Sequence, residues 1–317
     1  MTVRPFQNAD AHAVARLVTG GVRGHWTYAP GQFREGTESG RLVAERGGVV
    51  ATLRLGPFGP GAPDALRLDL AGDGSAFTAL YLTALARLPD GFTRLLGVTR
   101  EDWSETMGFF HAAGFRNAWQ SWGAHLELEA FDFGRFRPLE ERLYLRGYEV
   151  GRLGPETGEA DWERLHMLHE LGVRDAPRNP TTTPDLLGRD GLRERVVREE
   201  AAFVVRFRGE IVASTRLTPG GRAVESEQTV THPGHRSRGL ATLVKAQALM
   251  WAKAEGYARA GTGGTVLNLP MLRVNVRLGY VAEPMWVTWE REPARPSEGR
   301  RADALASHFP RCSTSAV

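Results

Sequence analysis

The feature that most constrains the fold of this chain is an internal repeat. Two segments, 46-RGGVVATLRL-55 and 208-RGEIVASTRL-217, each turn at Arg-Gly and continue as a β-branched stretch, which predicts an antiparallel hairpin. Farther along, 109-FFHAAGF-115 and 274-VNVRLGY-280 both predict a helix that ends at a glycine before a new strand. The hairpins are 162 residues apart and these glycines 165 apart. Two nearly equal offsets indicate a duplicated domain of about 150 residues; the alternative is a coincidence between two ordinary hairpins.

The beginnings of the two copies are also alike. The segments 3-VRPFQNADAHAVARL-17 and 150-VGRLGPETGEADWERL-165 each predict a short strand followed by an amphipathic helix. The second copy is longer, because residues 172–195 add a polar segment rich in proline and arginine, of the kind that forms functional loops or linkers. The predicted organisation is an N-terminal domain 1–135, a C-terminal domain 136–296 with the linker near 131–148, and a flexible tail 297–317.

The composition is that of an ordinary globular protein and argues against several other classes. Of 317 residues, 42% are hydrophobic and 24% are charged, and the formal net charge is +3. A nucleic-acid binder more often carries a concentrated excess of positive charge, so we expect no nucleic-acid partner. No run approaches the roughly 18 apolar residues of a membrane span, so we expect no membrane partner. Cys312 is the single cysteine, which excludes an internal disulfide framework and favours a cytoplasmic location.

The stretch 231-THPGHRSRGLATLVK-245 carries the strongest sign of chemistry. Residues 222–231 alternate and predict a strand, and apolar residues at helical spacing predict a helix from Gly239 onward. A helix N-terminus exposes unpaired N–H groups and roughly half a positive charge, which favours a phosphate at this strand-to-helix turn. Gly239 would let a ligand approach the backbone closely. His232 and His235 lack an evident third ligand, so we expect no metal site.

The turn resembles a motif of the GCN5-related N-acetyltransferase (GNAT) superfamily. Residues 236-RSRGLA-241 fit its Arg/Gln-x-x-Gly-x-Gly/Ala signature, and 262-TGGTVLNLPMLRVNVRLGY-280 resembles its strand, asparagine-containing turn, helix and Leu-Gly-Phe/Tyr. With the repeat, the chain resembles the tandem GNAT proteins, among them the mycothiol synthase type. The resemblance implies an α/β (α+β) fold with two tandem GNAT-like domains, each a mixed, mostly antiparallel sheet flanked by helices.

The same resemblance implies acetyl-CoA, or another acyl-CoA, as co-substrate. Its diphosphate would lie on the amides of the turn, its pantetheine beside the end of the preceding strand, and two asparagines would line the cleft. The residues implied in this way are Val230, Thr231, Arg236, Ser237, Arg238, Gly239, Leu240, Ala241, Asn268 and Asn275. For either asparagine, the alternative is a helix cap or a surface hydrogen bond.

Two glutamates on the strand before the turn are candidates for the general base. A lysine-like amine is protonated at neutral pH, and deprotonating a group of pKa near 10.4 at pH 7 costs about 4–5 kcal/mol, so a base is useful. Glu225 and Glu227 are two residues apart, so both side chains leave the same face of the strand. The resemblance implies a glutamate here as base and favours Glu225; the alternative is a pair of solvated carboxylates. The tyrosine that the family often uses as acid is replaced by Asn275.

The first copy lacks the charges of the turn. Its counterpart is 71-AGDGSAF-77, which keeps glycines but has no arginine, and Asp73 would repel a diphosphate at close range. We therefore predict one acyl-CoA site, in the second domain, and a degenerate first domain that shapes the acceptor cleft or buries a face of its partner. The predicted function is transfer of an acetyl group to a primary amine of a small molecule, by a monomer or homodimer. The alternatives are a tandem module that binds CoA or another ligand without turnover, and an aminoacyl-tRNA-dependent transferase.

Overall fold

The computed structural model describes residues 1–23, 27–59, 62–89, 91–177 and 186–292. The predicted tail 297–317, including Cys312, and part of the segment 172–195 lie outside the described residues. The chain divides into two compact units. Unit 1 is Met1–Gln120 with the chain from Met285 onward, and unit 2 is Ser121–Pro284.

Unit 1 contains a mixed sheet with helices against it. Its strands pair in the order β1 (Thr2–Pro5), β2 (Arg41–Glu45), β3 (Val49–Pro57), β4 (Ala65–Gly72), β5 (Arg94–Arg100) and β13 (Trp286–Arg291). Only β4 and β5 are parallel. The helices are α1 (Ala11–Gly21), α2 (Phe77–Leu85) and α3 (Ser104–Ala112). Helix α2 buries Phe77, Leu80, Tyr81 and Ala84, which share one helical face and pack against the strands.

Unit 2 has the same plan. Its strands pair in the order β7 (Tyr148–Leu153), β8 (Ala201–Phe207), β9 (Glu210–Gly220), β10 (Ala223–Thr231), β11 (Arg259–Thr265) and residues 121–127 of β6 (Arg116–Glu127), with β12 (Val281–Ala282) also on β6. Only β10 and β11 are parallel. The helices are α4 (Arg137–Tyr144), α5 (Glu159–Asp175), α6 (Arg189–Arg198), α7 (Leu240–Ala254) and α8 (Leu269–Leu278).

Helices cover both faces of the unit 2 sheet. Val204 of β8 packs in a core with Trp162 of α5 and Val196 of α6. Phe203, the neighbouring residue, contacts Trp251 of α7 instead. Because successive side chains of a strand point to opposite faces, α5 and α6 lie on one face and α7 lies on the other.

The structure confirms the predicted fold class and the repeat. Both predicted hairpins form, and the helices α3 and α8 end just before glycines in the left-handed region, with φ of +73° at Gly114 and +100° at Gly279. The last strand of each copy lies in the other unit: β13, after the second copy, pairs with β5, and residues 121–127, at the end of the first copy, pair with β11.

Unit boundaries differ from the predicted domain boundaries because of this exchange of strands. The predicted division at 135/136 falls inside unit 2, and as a statement about independently folding domains it stays a prediction. The predicted linker is not an extended segment, since it contains α4, whose Leu143 is fully buried. No helix in the described part of the chain is long and apolar enough to cross a membrane.

Candidate active site

Strands β10 and β11 separate in the middle of the unit 2 sheet. They pair from Ala223 with Arg259 to Ser226 with Thr262, and no pairing between these two described strands continues beyond that point. The register of β10 with β9 shifts between Ser226 and Thr229, which marks a β-bulge. The end of β10, as far as Thr231, therefore pairs only with β9 and leaves its other edge open. Bulges of this kind re-aim side chains and are common beside active sites.

The two candidate glutamates lie on either side of this separation, Glu225 just before it and Glu227 just after it. Both are exposed, and the alternate residues Val224 and Ser226 are buried, so Glu225 and Glu227 share one face as predicted from their spacing. Glu227 accepts a hydrogen bond from the Thr218 hydroxyl at 3.0 Å. The carboxylate of Glu225 makes no hydrogen bond or ion pair with any described residue and is open to a ligand.

A glycine makes room for the Glu225 carboxylate. Gly261 of β11 is the register partner of Glu225, and a Cβ atom there would lie 2.1 Å from Glu225 Oε1. Protein atoms displace water from this carboxylate, and the charges of Glu227 and Glu283 add to the effect, so the pKa of Glu225 is raised above its ordinary value. A carboxylate with a raised pKa accepts a proton more readily, which suits a general base.

The predicted phosphate-binding turn has the backbone of a strand-to-helix junction. Ser237 and Gly239 are both left-handed, with φ of +61° and +93°, and Gly239 is the N-cap of α7. The first helical hydrogen bond runs from the Leu243 N–H to the Gly239 carbonyl at 3.0 Å. The N–H groups of Leu240 and Ala241 precede that bond and are available to an anion. Leu240 buries its side chain, so only its backbone can serve a ligand.

Packing also requires glycine at this turn. A Cβ atom on Gly239 would lie 2.9 Å from Cδ1 of Leu139 in α4. Helix α4 thus packs directly against the turn, and a side chain at position 239 would force Leu139 or the turn to move.

The two arginines of the turn are engaged with protein groups. Arg236 donates to the Thr231 carbonyl at 3.0 Å and to Asp175 at 2.5 Å, and this ion pair holds the pKa of Asp175 below its ordinary value. Arg238 donates to the Tyr148 hydroxyl at 2.6 Å and to the Gly234 carbonyl at 3.0 Å. The sequence prediction included neither Asp175 nor Tyr148, because each comes from an element distant in sequence.

The two predicted asparagines have different environments. Asn268 is the N-cap of α8 and accepts a hydrogen bond from the Met271 N–H at 3.4 Å, so it has the capping contact considered as the alternative. Asn275 is 0% exposed, and neither side-chain polar atom has a partner among the described residues. A buried amide without partners costs about 1–3 kcal/mol, and Asn275 has no surface open to a ligand, so its predicted place in the cofactor cleft stays a prediction. Val230, by contrast, belongs to the core against α5.

Three further polar residues near β10 were not predicted. Lys245 of α7 is 2% exposed, donates to the Ser226 hydroxyl at 2.7 Å and lies 5.6 Å from the centre of the Tyr280 ring. Burial lowers the pKa of Lys245 to about 7. Burial and the charge of Glu225 raise the pKa of Tyr280, whose hydroxyl has no partner among the described residues. In sequence, Lys245 is indistinguishable from a solvated lysine on a helix.

In unit 1, the segment that corresponds to the turn contains an acidic residue, Asp73, which bonds to neighbouring protein groups. Asp73 accepts a hydrogen bond from the Ser75 N–H at 2.9 Å and pairs with Arg46 at 3.4 Å. A pocket of about 360 Å³ beside it is lined by Asp73 and Glu105. Two carboxylates there disfavour a diphosphate, which supports the prediction of a single acyl-CoA site. Across the described residues, no group of three or more histidine, cysteine, aspartate or glutamate side chains could hold a metal ion.

Part of the chain matches a known protein family. Residues 165–280 match the model of the acetyltransferase (GNAT) family. The matched segment contains β10, the turn and α7. No curated protein matches the chain.

Solved structures show the same fold over nearly the whole chain. A GCN5-related N-acetyltransferase from Sphaerobacter thermophilus is 14% identical with a TM-score of 0.61, over 93% of this chain and 96% of that one. A tandem GNAT protein from the clavulanic acid biosynthesis pathway is 20% identical with a TM-score of 0.57, over 93% and 99%. A glucosamine N-acetyltransferase region of a fungal multi-domain beta-N-acetylglucosaminidase is 14% identical with a TM-score of 0.60, over 92% of this chain and 38% of that one. At these identities the likeness shows the fold alone, which is a tandem GNAT fold.

Proposed function

We propose that this chain transfers an acetyl group from acetyl-CoA to a primary amine of a small molecule, by direct attack, in the segment that matches the GNAT family. The observation that carries the proposal is the Glu225 carboxylate. It is exposed, has a raised pKa and lies beside the point where β10 and β11 separate. That combination is what a general base for an incoming ammonium group requires.

The residues around the turn fit a CoA diphosphate. The N–H groups of Leu240 and Ala241 precede the first hydrogen bond of α7, so they are free of helical partners and can donate to a phosphate. Arg236 and Arg238 flank this backbone and add positive charge, although each now has a protein partner. The open edge of β10, at Val230 and Thr231, offers backbone groups to the pantetheine. When bound, the thioester supplies an acyl group that an amine can displace from sulfur.

A residue of this chain would accept the proton that the acceptor ammonium group loses. Glu225 accepts it from the ammonium group, and the nearby charges of Glu227 and Glu283 stabilise the cation before the proton leaves. Glu227 is the second candidate for the base, but its hydrogen bond to Thr218 occupies one carboxylate oxygen. Asn275 can donate a hydrogen bond but cannot act as an acid, so the departing thiolate would take its proton from water.

A second candidate function is a tandem module that binds CoA without turnover. The observation in its favour is the same Asn275, which stands where the family often has a tyrosine. Within the transferase hypothesis, a likeness to the mycothiol synthase type would place the acceptor among small primary amines, and that assignment also stays a hypothesis.

One pair of measurements separates the two functions. Release of CoA thiol from acetyl-CoA is followed with a panel of small primary amines, and acetyl-CoA affinity is measured by calorimetry. For a transferase, we expect amine-dependent thiol release that Glu225→Gln abolishes while affinity is kept. Glu149→Gln, at an exposed glutamate of β7, is the matched control. Affinity without thiol release for any amine would support the binding module, and absence of both would refute either function.

A further inference from the structure

A histidine and a glutamate lie beside Glu225 on the same face of the unit 2 sheet. His125 of β6 is the register partner of Gly261 in β11, and Gly261 is in turn the partner of Glu225 in β10. Register partners in adjacent strands point to the same face. Because Gly261 has no side chain, the Glu225 carboxylate lies over it, on the face to which His125 also points.

Two further glycines lie on the same face of the sheet, next to His125 and Gly261. Gly123 of β6 pairs with Gly263 of β11, two residues along from His125 and Gly261. Glu283 lies over Gly123, since a Cβ atom there would be 3.4 Å from Glu283 Oε2. The glycines thus leave room on this face for two carboxylates, that of Glu225 over Gly261 and that of Glu283 over Gly123.

Glu283 holds the ring of His125. Its Oε1 lies 3.0 Å from His125 Nδ1, and its own N–H donates to the Gly123 carbonyl at 2.9 Å. A carboxylate at Nδ1 stabilises the tautomer with the proton on that nitrogen, which leaves Nε2 as an acceptor. The side chains of His125 and Glu283 are 33% and 25% exposed, so a ligand can reach them.

We propose that His125, oriented by Glu283, binds the acceptor ammonium group together with Glu225, and that the acceptor is a cationic amine without a neighbouring carboxylate. This inference rests on the proposed function and names the substrate class of the same site. A primary ammonium group has three N–H donors, and Glu225 and His125 Nε2 offer it two acceptors. The charges that act most strongly on Glu225 are those of Glu227 and Glu283, both negative, and they would repel an anionic acceptor.

The first copy contributes a residue to this site. His125 comes from the last strand of that copy, so the site of the second copy is incomplete without it.

The test compares putrescine with γ-aminobutyrate, which replaces one ammonium group of a similar chain by a carboxylate. We expect the wild type to acetylate putrescine with the higher kcat/KM. His125→Phe keeps a ring but removes the acceptor, and it should raise KM for putrescine about tenfold or more while KM for acetyl-CoA stays unchanged. His12→Phe, at an exposed histidine of α1, should change neither.

Glu283 acts through His125, so its test needs a different readout. Glu283→Ala should raise KM for putrescine more than it lowers kcat, and Glu283→Asp should restore part of the loss. His125→Phe in the Glu283→Ala background should then have little further effect.

Distinct results would overturn the inference and the proposed function. A wild type that prefers γ-aminobutyrate, or a His125→Phe variant with wild-type KM for putrescine, would overturn the inference alone. Failure of putrescine to react or to bind in calorimetry, while an amine that carries a carboxylate is acetylated, would overturn the inference as well. Absence of acetyl-CoA binding and of thiol release with every amine would overturn the proposed function itself.

Discussion

Gly261→Ala tests whether catalysis depends on the position of the Glu225 carboxylate. A methyl group at position 261 would lie 2.1 Å from Glu225 Oε1 and 2.3 Å from Oε2, whereas ordinary contacts begin at 3.4 Å. The carboxylate must therefore move by roughly 1.3 Å, the difference between the shortest of these distances and an ordinary contact. Misplacement of a reacting group by about 1 Å can lower a rate about 100-fold, so we expect a loss of this size in kcat/KM.

The fold should tolerate this substitution. Gly261 is not in the left-handed region, so alanine adopts its backbone conformation without strain. The group that must move is the end of a flexible side chain. We therefore expect the free energy of unfolding to change by about 1 kcal/mol or less.

The assay is thiol release from acetyl-CoA over a range of amine concentrations, which gives kcat/KM, alongside calorimetric affinity for acetyl-CoA. Gly220→Ala is the matched control, because Gly220 is also a strand glycine of unit 2 and a Cβ atom there would meet nothing within 4 Å. We expect affinity to be kept in both variants and activity to be lost only in Gly261→Ala. Full activity in Gly261→Ala would refute the assignment of Glu225 as the positioned base.

Three other variants test the charges and the turn. Glu227→Gln should shift the acidic limb of the pH profile of kcat/KM to lower pH, because the charge of Glu227 raises the pKa of Glu225; complete loss of activity would instead make Glu227 the base. Gly239→Ala should weaken acetyl-CoA affinity about tenfold or more in calorimetry, because φ there is +93° and the new methyl group would crowd Leu139; unchanged affinity would count against the turn as the binding site. Lys245→Met should raise the free energy of unfolding in urea at pH 7 by about 2–4 kcal/mol. The pKa of Lys245 is about 7 in the folded protein and 10.5 ordinarily, so the unfolded wild type binds the proton more tightly and is favoured at pH 7. This cost to the wild type, and with it the stability gained by the methionine variant, should shrink as pH rises toward 10. Equal stability of the two proteins at pH 7 would contradict the prediction.

Local patterns predicted the elements that build the candidate site. The alternation in 222–231 and the helical spacing after Gly239 correspond to β10 and α7, and the structure has both. Glycine in the turn was predicted from chemistry, and the structure adds a steric reason, since Leu139 leaves no space for a Cβ atom. These features depend on residues close together in the chain, which is why one sequence suffices to find them.

Features that depend on strand order could not be predicted in the same way. His125 meets Gly261 only because β6 pairs with β11, and no periodicity in either segment specifies that pairing. The ion pair of Arg236 with Asp175 likewise joins two elements that are 61 residues apart in the chain. The raised pKa of Glu225 follows in part from Glu283, another long-range neighbour.

The most direct test of the account is the number of acetyl-CoA molecules that each chain binds. We predict one in a calorimetric titration, and we predict that Arg238→Glu lowers the affinity strongly because it places a carboxylate beside the turn. Arg198→Glu, at an exposed arginine of α6, is the control and should bind as the wild type does. Two molecules per chain, or unchanged affinity in folded Arg238→Glu, would contradict a single acyl-CoA site at the turn of the second copy.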